Sequence, residues 1–154
     1  MLTLGQLTIL LDSAHAGYEI IQHAQPILKT EDAERYFDTT KAAPVFIIDT
    51  GKGLLALILS FQKKKIDFQL LAANLGFDGF KLASKDAIYK VIGYEIGSIP
   101  LVGHNLPCII DRQLLDFDFI FGGTGDKFYT LKINPKDLLK LNKVESVIDI
   151  PYIQ

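Results

Sequence analysis

The sequence predicts a mixed α+β fold, with one domain over residues 1–154 and helices packed around a curved, mixed β-sheet. Three observations support this class. Strand and helix signals alternate irregularly, a hairpin signal joins two apolar runs, and several helix starts carry good capping residues. Hydrophobic residues make up 49% and charged residues 22% of the 154 residues, so the chain has the composition and length of a single globular domain.

The first half of the chain contains signals for helices and for strands. Apolar residues at helical spacing predict helix 4–14, and the sequence 18–23 is typical of a strand. Thr30, followed by two acidic residues, predicts the N-cap of a helix that continues to about residue 37. The turn sequence 50–53 predicts a β-hairpin. The two strands of this hairpin span residues 44–49 and 54–59.

The second half follows the same mixed pattern. Asp67 predicts the N-cap of helix 68–75, and Ser84 predicts the start of a helix that ends near Gly93. Asn134 followed by a proline predicts the start of the last helix. The apolar segments predict strands at 79–83, 106–111, 118–122, 127–133 and 144–150.

Composition limits the classes of function and the compartment. The longest apolar run, 53–60, is too short to cross a bilayer, and the N-terminal residues lack the basic start of a secretory signal. A lone Cys108 in an apolar segment fits a small core residue in a reducing environment. We therefore expect a cytoplasmic protein with no membrane partner.

The net charge is only −2, but lysines cluster at 63–65 and between residues 127 and 143. Two interpretations of these clusters are open. Charge runs usually cover solvated helix and turn faces. A few cations on one face also suffice to bind nucleic-acid phosphates.

The segment from Ile92 to His104 is rich in glycine and interrupts an apolar sequence. Glycine allows positive φ values and lets another molecule approach the backbone closely. Such a loop can present several N–H groups to a cleft, where they would hold a carbonyl oxygen or an oxyanion without a charged side chain. We therefore predict that the functional site includes this loop.

The common motifs of metal, nucleotide and covalent chemistry are missing. The three histidines are scattered, without metal-ligand spacing, so we expect no metal and no cofactor. The sequence 122–125 is glycine-rich but lacks the ending of a phosphate-binding loop, and a strand signal follows it. No nucleophile elbow occurs.

An ordered set of segments resembles the YbaK/prolyl-tRNA editing domain family, also called aminoacyl-tRNA-synthetase-associated domains. The resemblance covers nearly the whole chain. The segments that carry it are 93–104, 109–115, 122–126, 134–139 and 147–150, with His23 and 30–33 as looser matches in the N-terminal half.

The resemblance implies a mixed α/β domain around a curved sheet and the hydrolysis of mischarged aminoacyl-tRNA without a metal. The expected partner is the aminoacylated 3′ end of tRNA, and an aminoacyl-tRNA synthetase is an alternative partner. Two positions depart from the family pattern. Pro44 stands where the family usually has a lysine, which leaves Lys41 as the nearest candidate, and Leu101 stands where the glycine loop usually has a proline, with Pro100 one residue earlier.

The candidate catalytic residues are Gly97, Ser98, Ile99 and His104. The candidate substrate-binding residues are His23, Thr30, Lys41, Pro100, Gly103, Asp111 and Gly123. Structural alternatives remain for several of them. A loop histidine at position 104 can satisfy backbone groups, Thr30 can act only as a helix cap, and Asp111 can fix a turn through its own backbone bonds.

Two functions follow from these residues, and a third stays open. The first is a trans-acting aminoacyl-tRNA deacylase, in which main-chain N–H groups around residues 97–99 stabilise the oxyanion. The second is a non-catalytic module of the same fold that binds aminoacyl-tRNA or a synthetase, which Pro44 favours. The third is a binding domain for a small amino-acid-like ligand.

Overall fold

The computed structural model describes residues 1–154, which form four α-helices and eight β-strands. The helices are α1 (Leu4–Ser13), α2 (Phe68–Asn74), α3 (Lys85–Ile92) and α4 (Pro135–Leu141). The strands are β1 (Tyr18–Gln22), β2 (Val45–Asp49), β3 (Leu54–Ile58), β4 (Lys81–Leu82), β5 (Pro107–Asp111), β6 (Ile120–Gly123), β7 (Tyr129–Ile133) and β8 (Lys143–Ile148). The predicted mixed α+β class is confirmed.

The strands are divided between two sheets, whereas the sequence predicts one curved sheet. The larger sheet has the order β4-β2-β3-β5-β8 and combines antiparallel with parallel pairs, and the smaller sheet, β1-β7-β6, is antiparallel. The Ala43 N–H donates a 2.7 Å hydrogen bond to the Phe121 carbonyl, and Ala42 forms an isolated bridge with Phe121. The two sheets therefore meet where the segment before β2 crosses β6.

The larger of two hydrophobic clusters joins both sheets, and β3 contributes side chains to both clusters. Ala56 and Ile58 of β3 belong to a cluster of 21 buried residues that also includes Leu131 of β7. The alternate residues Leu55 and Leu57 belong to a second cluster of eight buried residues on the other face of the sheet. Because side chains of a strand alternate between faces, burial of both faces requires the continuous apolar run seen in this segment.

The predicted caps at Asp67, Ser84 and Asn134 are all present. Each side chain accepts a hydrogen bond of 3.0–3.1 Å from a backbone N–H in the first turn of its helix. These caps satisfy N–H groups that have no partner inside the helix, so local sequence determines where α2, α3 and α4 begin.

The helix predicted over 30–37 is wrong. Only Thr30–Ala33 is helical, as a single 3₁₀ turn, and Thr30 is its first residue rather than its N-cap. The Asp32 carboxylate instead accepts hydrogen bonds from the N–H groups of Leu28 and Lys29, at 3.2 and 3.3 Å. Asp32, one of the two acidic residues that indicated a helix start, thus holds a tight turn.

Three strand ends meet at one edge of the larger sheet. β2 begins there, and the parallel strands β3 and β5 end there, because β2 and β3 form an antiparallel hairpin. The segment before β2 and the segment after β3 remain paired beyond the strands, since the Phe61 N–H donates to the Ala42 carbonyl at 3.1 Å. The longest helix has ten residues, and no helix has the length and apolar character needed to span a bilayer.

Candidate functional site

A cavity of about 830 Å³ opens at this edge of the larger sheet. Its walls come from the 3₁₀ turn, the start of β2, the segment after β3, the glycine loop, and strands β6 and β7. Of its 37 lining residues, 22 are hydrophobic. Ligand sites of about 300–1,000 Å³ are typically apolar with a few placed polar groups, so the polar groups of this wall define its chemistry.

The glycine loop places two unpaired N–H groups on the cavity wall. Gly97 and Ile99 line the cavity, and neither backbone N–H donates a hydrogen bond within the protein. The N–H of Ser98, between them, donates to the Glu95 carbonyl at 3.2 Å. Two amides on one loop are thus available as donors to a bound oxygen.

Position 97 favours glycine for two reasons, its backbone conformation and the lack of space for a side chain. Its φ is +91°, in the left-handed region, and an added Cβ would lie 2.7 Å from the carbonyl oxygen of Leu28. The loop therefore packs directly against the backbone that precedes the 3₁₀ turn. A side chain at position 97 would push these two walls of the cavity apart.

A buried threonine lines the cavity near this loop. Thr130 of β7 lines the cavity but is only 4% exposed, and its Oγ1 lies 3.1 Å from Nε2 of His23. His23 is 5% exposed, does not line the cavity, and has its Nδ1 2.8 Å from the Gln25 carbonyl oxygen. The sequence did not indicate Thr130 as a functional residue, because it is one of several alternating residues in an ordinary strand.

A second buried polar group lies at the end of β3. The Ser60 backbone N–H and hydroxyl donate to Asp111 Oδ2 at 3.0 and 2.7 Å, and Oδ1 accepts from the Gln113 N–H at 3.0 Å. Ser60 lines the cavity, whereas Asp111 is 1% exposed and lies behind it. Tyr152 also lines the cavity, and its hydroxyl is buried without a hydrogen-bond partner. Burial, and next the charge of Asp111, raise the pKa of Tyr152.

Four exposed lysines lie at the cavity, compared with only two acidic residues. The lysines are Lys29, Lys64, Lys65 and Lys127, and the acids are Glu31 and Asp126. None of the four lysine ammonium groups has a carboxylate oxygen within 4.0 Å. Both lysine clusters seen in the sequence thus contribute unpaired cations to the same opening.

Five predicted site residues line the cavity. They are Gly97, Ser98, Ile99, Thr30 and Gly123. Gly123 lies against the loop so closely that an added Cβ would collide with the Ile99 carbonyl oxygen. The structure therefore brings together the glycine loop, the 3₁₀ turn and β6.

His104 does not line the cavity, so its predicted direct contact with the substrate stays a prediction. His104 is 2% exposed, and its Nδ1 accepts a 3.1 Å hydrogen bond from the Leu106 N–H. Its Nε2 is buried without a partner. Burial lowers the pKa of His104 to about 4, so the imidazole is neutral at physiological pH.

Four further candidates lie outside the cavity lining. Lys41 is directed elsewhere, with Nζ 4.5 Å from the centroid of the Phe119 ring. Pro100 is buried, and an added Cβ at Gly103 would lie 2.6 Å from the side chain of Leu2. Asp111 reaches the cavity only through Ser60. The predicted contacts of these four residues with the substrate stay predictions.

Pro44 itself lines the cavity, where the resemblance leads to the expectation of a lysine. Its carbonyl accepts a 3.0 Å hydrogen bond from the Leu59 N–H. No cation takes its place at this position, because Lys41 lies against Phe119. The cavity wall at the start of β2 is therefore apolar.

Cys108 is excluded as a nucleophile by its surroundings. The residue is fully buried within the large core cluster. Burial, with a smaller effect of Glu145, raises the pKa of its thiol to about 12. No group of three or more His, Cys, Asp or Glu side chains is arranged to hold a metal ion.

Comparison with protein families gives one match. The model of the family described as "Aminoacyl-tRNA editing domain" matches residues 24–141, which is well over half of the chain. The matched range contains the glycine loop, Thr130 and Ser60, and ends before β8 and the C-terminal segment.

Solved structures with the same fold include a protein described as a "putative trans-editing enzyme for prolyl tRNA synthetase". The TM-score is 0.80 at 18% identity, over 99% of this chain and 100% of that one. A protein described as "hypothetical protein APE2540" also has a TM-score of 0.80 at 18% identity, over 94% and 97% of the two chains. At these identities, the similarity concerns the fold.

Proposed function

The chain belongs to the aminoacyl-tRNA editing domain family, and we propose that it acts in trans as a deacylase that hydrolyses the ester bond of mischarged aminoacyl-tRNA. The observation that carries this proposal is the pair of unpaired N–H groups at Gly97 and Ile99 on the wall of the cavity. An apolar cavity with such donors suits an ester whose carbonyl oxygen becomes negatively charged during the reaction.

Hydrolysis of this ester does not require a charged side chain. An aminoacyl ester is already activated, so its hydrolysis needs a placed water and stabilisation of the tetrahedral oxyanion. The amides of Gly97 and Ile99 would donate to that oxyanion. Removing one donor of this kind typically costs about 10²–10³ in rate. The ribose hydroxyl next to the ester would help to orient the attacking water.

The cations at the opening suit the RNA part of the substrate. Lys29, Lys64, Lys65 and Lys127 lie at the cavity without carboxylate partners. A 3′ end that enters the cavity brings its phosphates to these lysines, which adds affinity that does not depend on sequence. The net charge of −2 then matters less than this local excess of positive charge.

The apolar wall suits discrimination by size. With 22 hydrophobic lining residues, the cavity would select the aminoacyl side chain mainly by the space it fills. One methylene in such a pocket changes the free energy of binding by about 1–3 kcal/mol. We therefore expect the protein to hydrolyse a group of similar small substrates at graded rates.

The alternative function is a module of the same fold that binds aminoacyl-tRNA or a synthetase without turnover. The observation that favours it is Pro44, which makes the wall apolar at the start of β2 where the resemblance leads to the expectation of a lysine. The free amides of the glycine loop favour the enzyme, because binding alone does not require an oxyanion site.

The decisive experiment measures deacylation of a panel of mischarged tRNAs by the wild type and by Gly97→Ala. The control is Gly51→Ala, because Gly51 also has a positive φ, +83°, but has no atom within 4 Å of an added Cβ. We expect turnover by the wild type, about 10²-fold less by Gly97→Ala, and normal turnover by Gly51→Ala. Binding without turnover by the wild type would support the alternative, and no binding at all would exclude both.

A further inference from the structure

The hydroxyl of Thr130 and the imidazole of His23 form a buried pair that is not part of the proposed oxyanion site. Their Oγ1 and Nε2 atoms are 3.1 Å apart, and the residues are 4% and 5% exposed. Only Thr130 lines the cavity. A hydroxyl bonded to an imidazole, with only the residue that carries the hydroxyl on the cavity wall, is the arrangement in which a base acts through a hydroxyl.

The hydrogen bonds determine which way the proton lies. Nδ1 of His23 is 2.8 Å from the Gln25 carbonyl oxygen, which can only accept. In the neutral imidazole, Nδ1 therefore carries the hydrogen and Nε2 accepts. Thr130 must then donate to Nε2, which leaves the lone pairs of its oxygen free for a donor in the cavity.

Neighbouring contacts hold the imidazole in this orientation. The ring of Tyr36 packs on that of His23 with a centroid distance of 4.8 Å. The Tyr36 hydroxyl accepts a 3.1 Å hydrogen bond from the N–H of Gln25, the residue whose carbonyl bonds to Nδ1. The base is thus oriented by a third group, as hydroxyl and imidazole pairs in catalytic sites require.

The pair lies beside the glycine loop. Thr130 is the direct partner of Gly123 in the antiparallel pair β6–β7. Directly opposite residues carry their side chains on the same face. An added Cβ at Gly123 would collide with the Ile99 carbonyl oxygen, so that face is turned toward the loop. The Thr130 hydroxyl and the free amides of the loop therefore border the same part of the cavity.

We propose that Thr130 and His23 form a proton relay that activates the hydrolytic water, an inference that rests on the proposed deacylase function. Water gives a proton to Thr130 Oγ1 as that hydroxyl gives its own proton to His23 Nε2. The resulting hydroxide attacks the ester carbon. The tetrahedral oxyanion collapses, the bond to the ribose oxygen breaks, and that oxygen takes the proton back through Thr130. The products are the free amino acid and tRNA with a free hydroxyl, and His23 is neutral again.

Roles differ within the pair. Thr130 touches the water and is the catalytic residue, whereas His23 acts through it as a positioning residue and proton acceptor. The relay also supplies a buried base, since the two carboxylates on the wall, Glu31 and Asp126, are exposed, Pro44 is apolar and His104 lies outside the cavity. General-base catalysis of this kind typically contributes about 10²–10⁴ in rate.

The test compares the steady-state kinetics of deacylation by Thr130→Val, Thr130→Ser and His23→Gln on a substrate that the wild type hydrolyses. We expect Thr130→Val and His23→Gln to lower kcat at least about 10²-fold with little change in KM, and Thr130→Ser to retain most activity. The control is Thr124→Val, because Thr124 is equally buried, with its hydroxyl 3.1 Å from two carbonyl oxygens, but does not line the cavity. Urea midpoints for all variants separate loss of folding from loss of catalysis.

The outcomes distinguish the relay from the function on which it rests. A wild type inactive on every substrate overturns both proposals. An active wild type with unchanged kcat in Thr130→Val, or with an acyl group found on Thr130 by mass spectrometry after an acid quench, overturns the relay alone. A measurement without substrate adds a check: ¹⁵N NMR of the imidazole should show the hydrogen on Nδ1 of His23. A hydrogen on Nε2 would also overturn the relay.

Discussion

The Ser60 hydroxyl donates a 2.7 Å hydrogen bond to the carboxylate of Asp111, 51 residues further along the chain. This contact joins the ends of the parallel strands β3 and β5 beside the cavity. Asp111 thereby supports a polar point in an otherwise apolar wall, and its three hydrogen bonds compensate for burial of its charge.

The first prediction concerns this buried carboxylate. Asp111→Ala should lower the free energy of unfolding by about 2–3 kcal/mol, because it leaves the N–H groups of Ser60 and Gln113 without their acceptor and leaves the Ser60 hydroxyl only the Gln113 Oε1 at 3.2 Å. Urea denaturation followed by circular dichroism measures the change. The control is Asp149→Ala, which removes an ion pair between Asp149 and Arg112. The Asp149 side chain is 82% exposed. That change should cost less than about 1 kcal/mol, and equal losses in the two variants would contradict the interpretation.

The second prediction concerns the neutral, buried His104. Its pKa falls from 6.5 to about 4 because of burial, so the unfolded chain binds a proton at a pH where the folded chain does not. Stability contributed by the neutral residue is therefore present above pH 6.5 and is lost as the pH falls toward 4. The pKa difference corresponds to about 3 kcal/mol at most.

His104→Asn tests this pH dependence, because asparagine can still accept from the Leu106 N–H but does not titrate. Between pH 7 and pH 4, the wild type should lose about 2–3 kcal/mol more of its free energy of unfolding than this variant. The exposed His15 provides the control. His15→Asn should follow the wild-type pH curve, and a parallel curve for His104→Asn would show that the residue titrates normally in the fold.

The third prediction concerns the lysines at the opening. Lys64→Ala and Lys127→Ala should weaken binding of a tRNA carrying a non-hydrolysable, amide-linked amino acid. Each loss of a phosphate contact should reduce the slope of log Kd against log salt by about 0.7. Lys52→Ala, at the hairpin tip away from the cavity, should leave that slope unchanged. An unchanged slope in all three variants would remove the lysines from the RNA-binding surface.

The fourth prediction concerns the contact between β6 and the glycine loop. Gly123→Ala should displace the loop, because the added Cβ would meet the rigid carbonyl group of Ile99. We expect a loss of about 1–3 kcal/mol in the free energy of unfolding and a marked loss of deacylation. Gly79→Ala is the matched control, since no atom lies within 4 Å of its added Cβ. Equal stability of the two variants would show that the loop yields without cost.

Local sequence signals predicted the elements whose causes are local. The caps at Asp67, Ser84 and Asn134 and the hairpin turn 50–53 each act within a few residues, and the structure has them as expected. The predicted helix over 30–37 is only a single 3₁₀ turn at Thr30–Ala33, although Asp32 bonds the N–H groups before that turn as an acidic residue at a helix start does.

The glycine loop was recognisable as a candidate site because its unusual composition is local, and the two lysine clusters were recognisable for the same reason. The sequence did not show that the two clusters meet at one cavity, because residues 64 and 127 lie in separate segments. Some of the candidate residues that were chosen only by their place in the sequence lie at the cavity, and others do not. Gly97 and Gly123 line the cavity, whereas His104 and Lys41 do not.

The sequence by itself determined the class of fold, most element positions and the loop with free amides, since spacing, capping and glycine content act over short distances. Tertiary structure alone decided the division into two sheets and the pairs that give the cavity its chemistry. His23 meets Thr130 across 107 residues, and Ser60 meets Asp111 across 51. Such contacts depend on strand register and on which faces pack together, and neither is encoded in the local pattern of either partner.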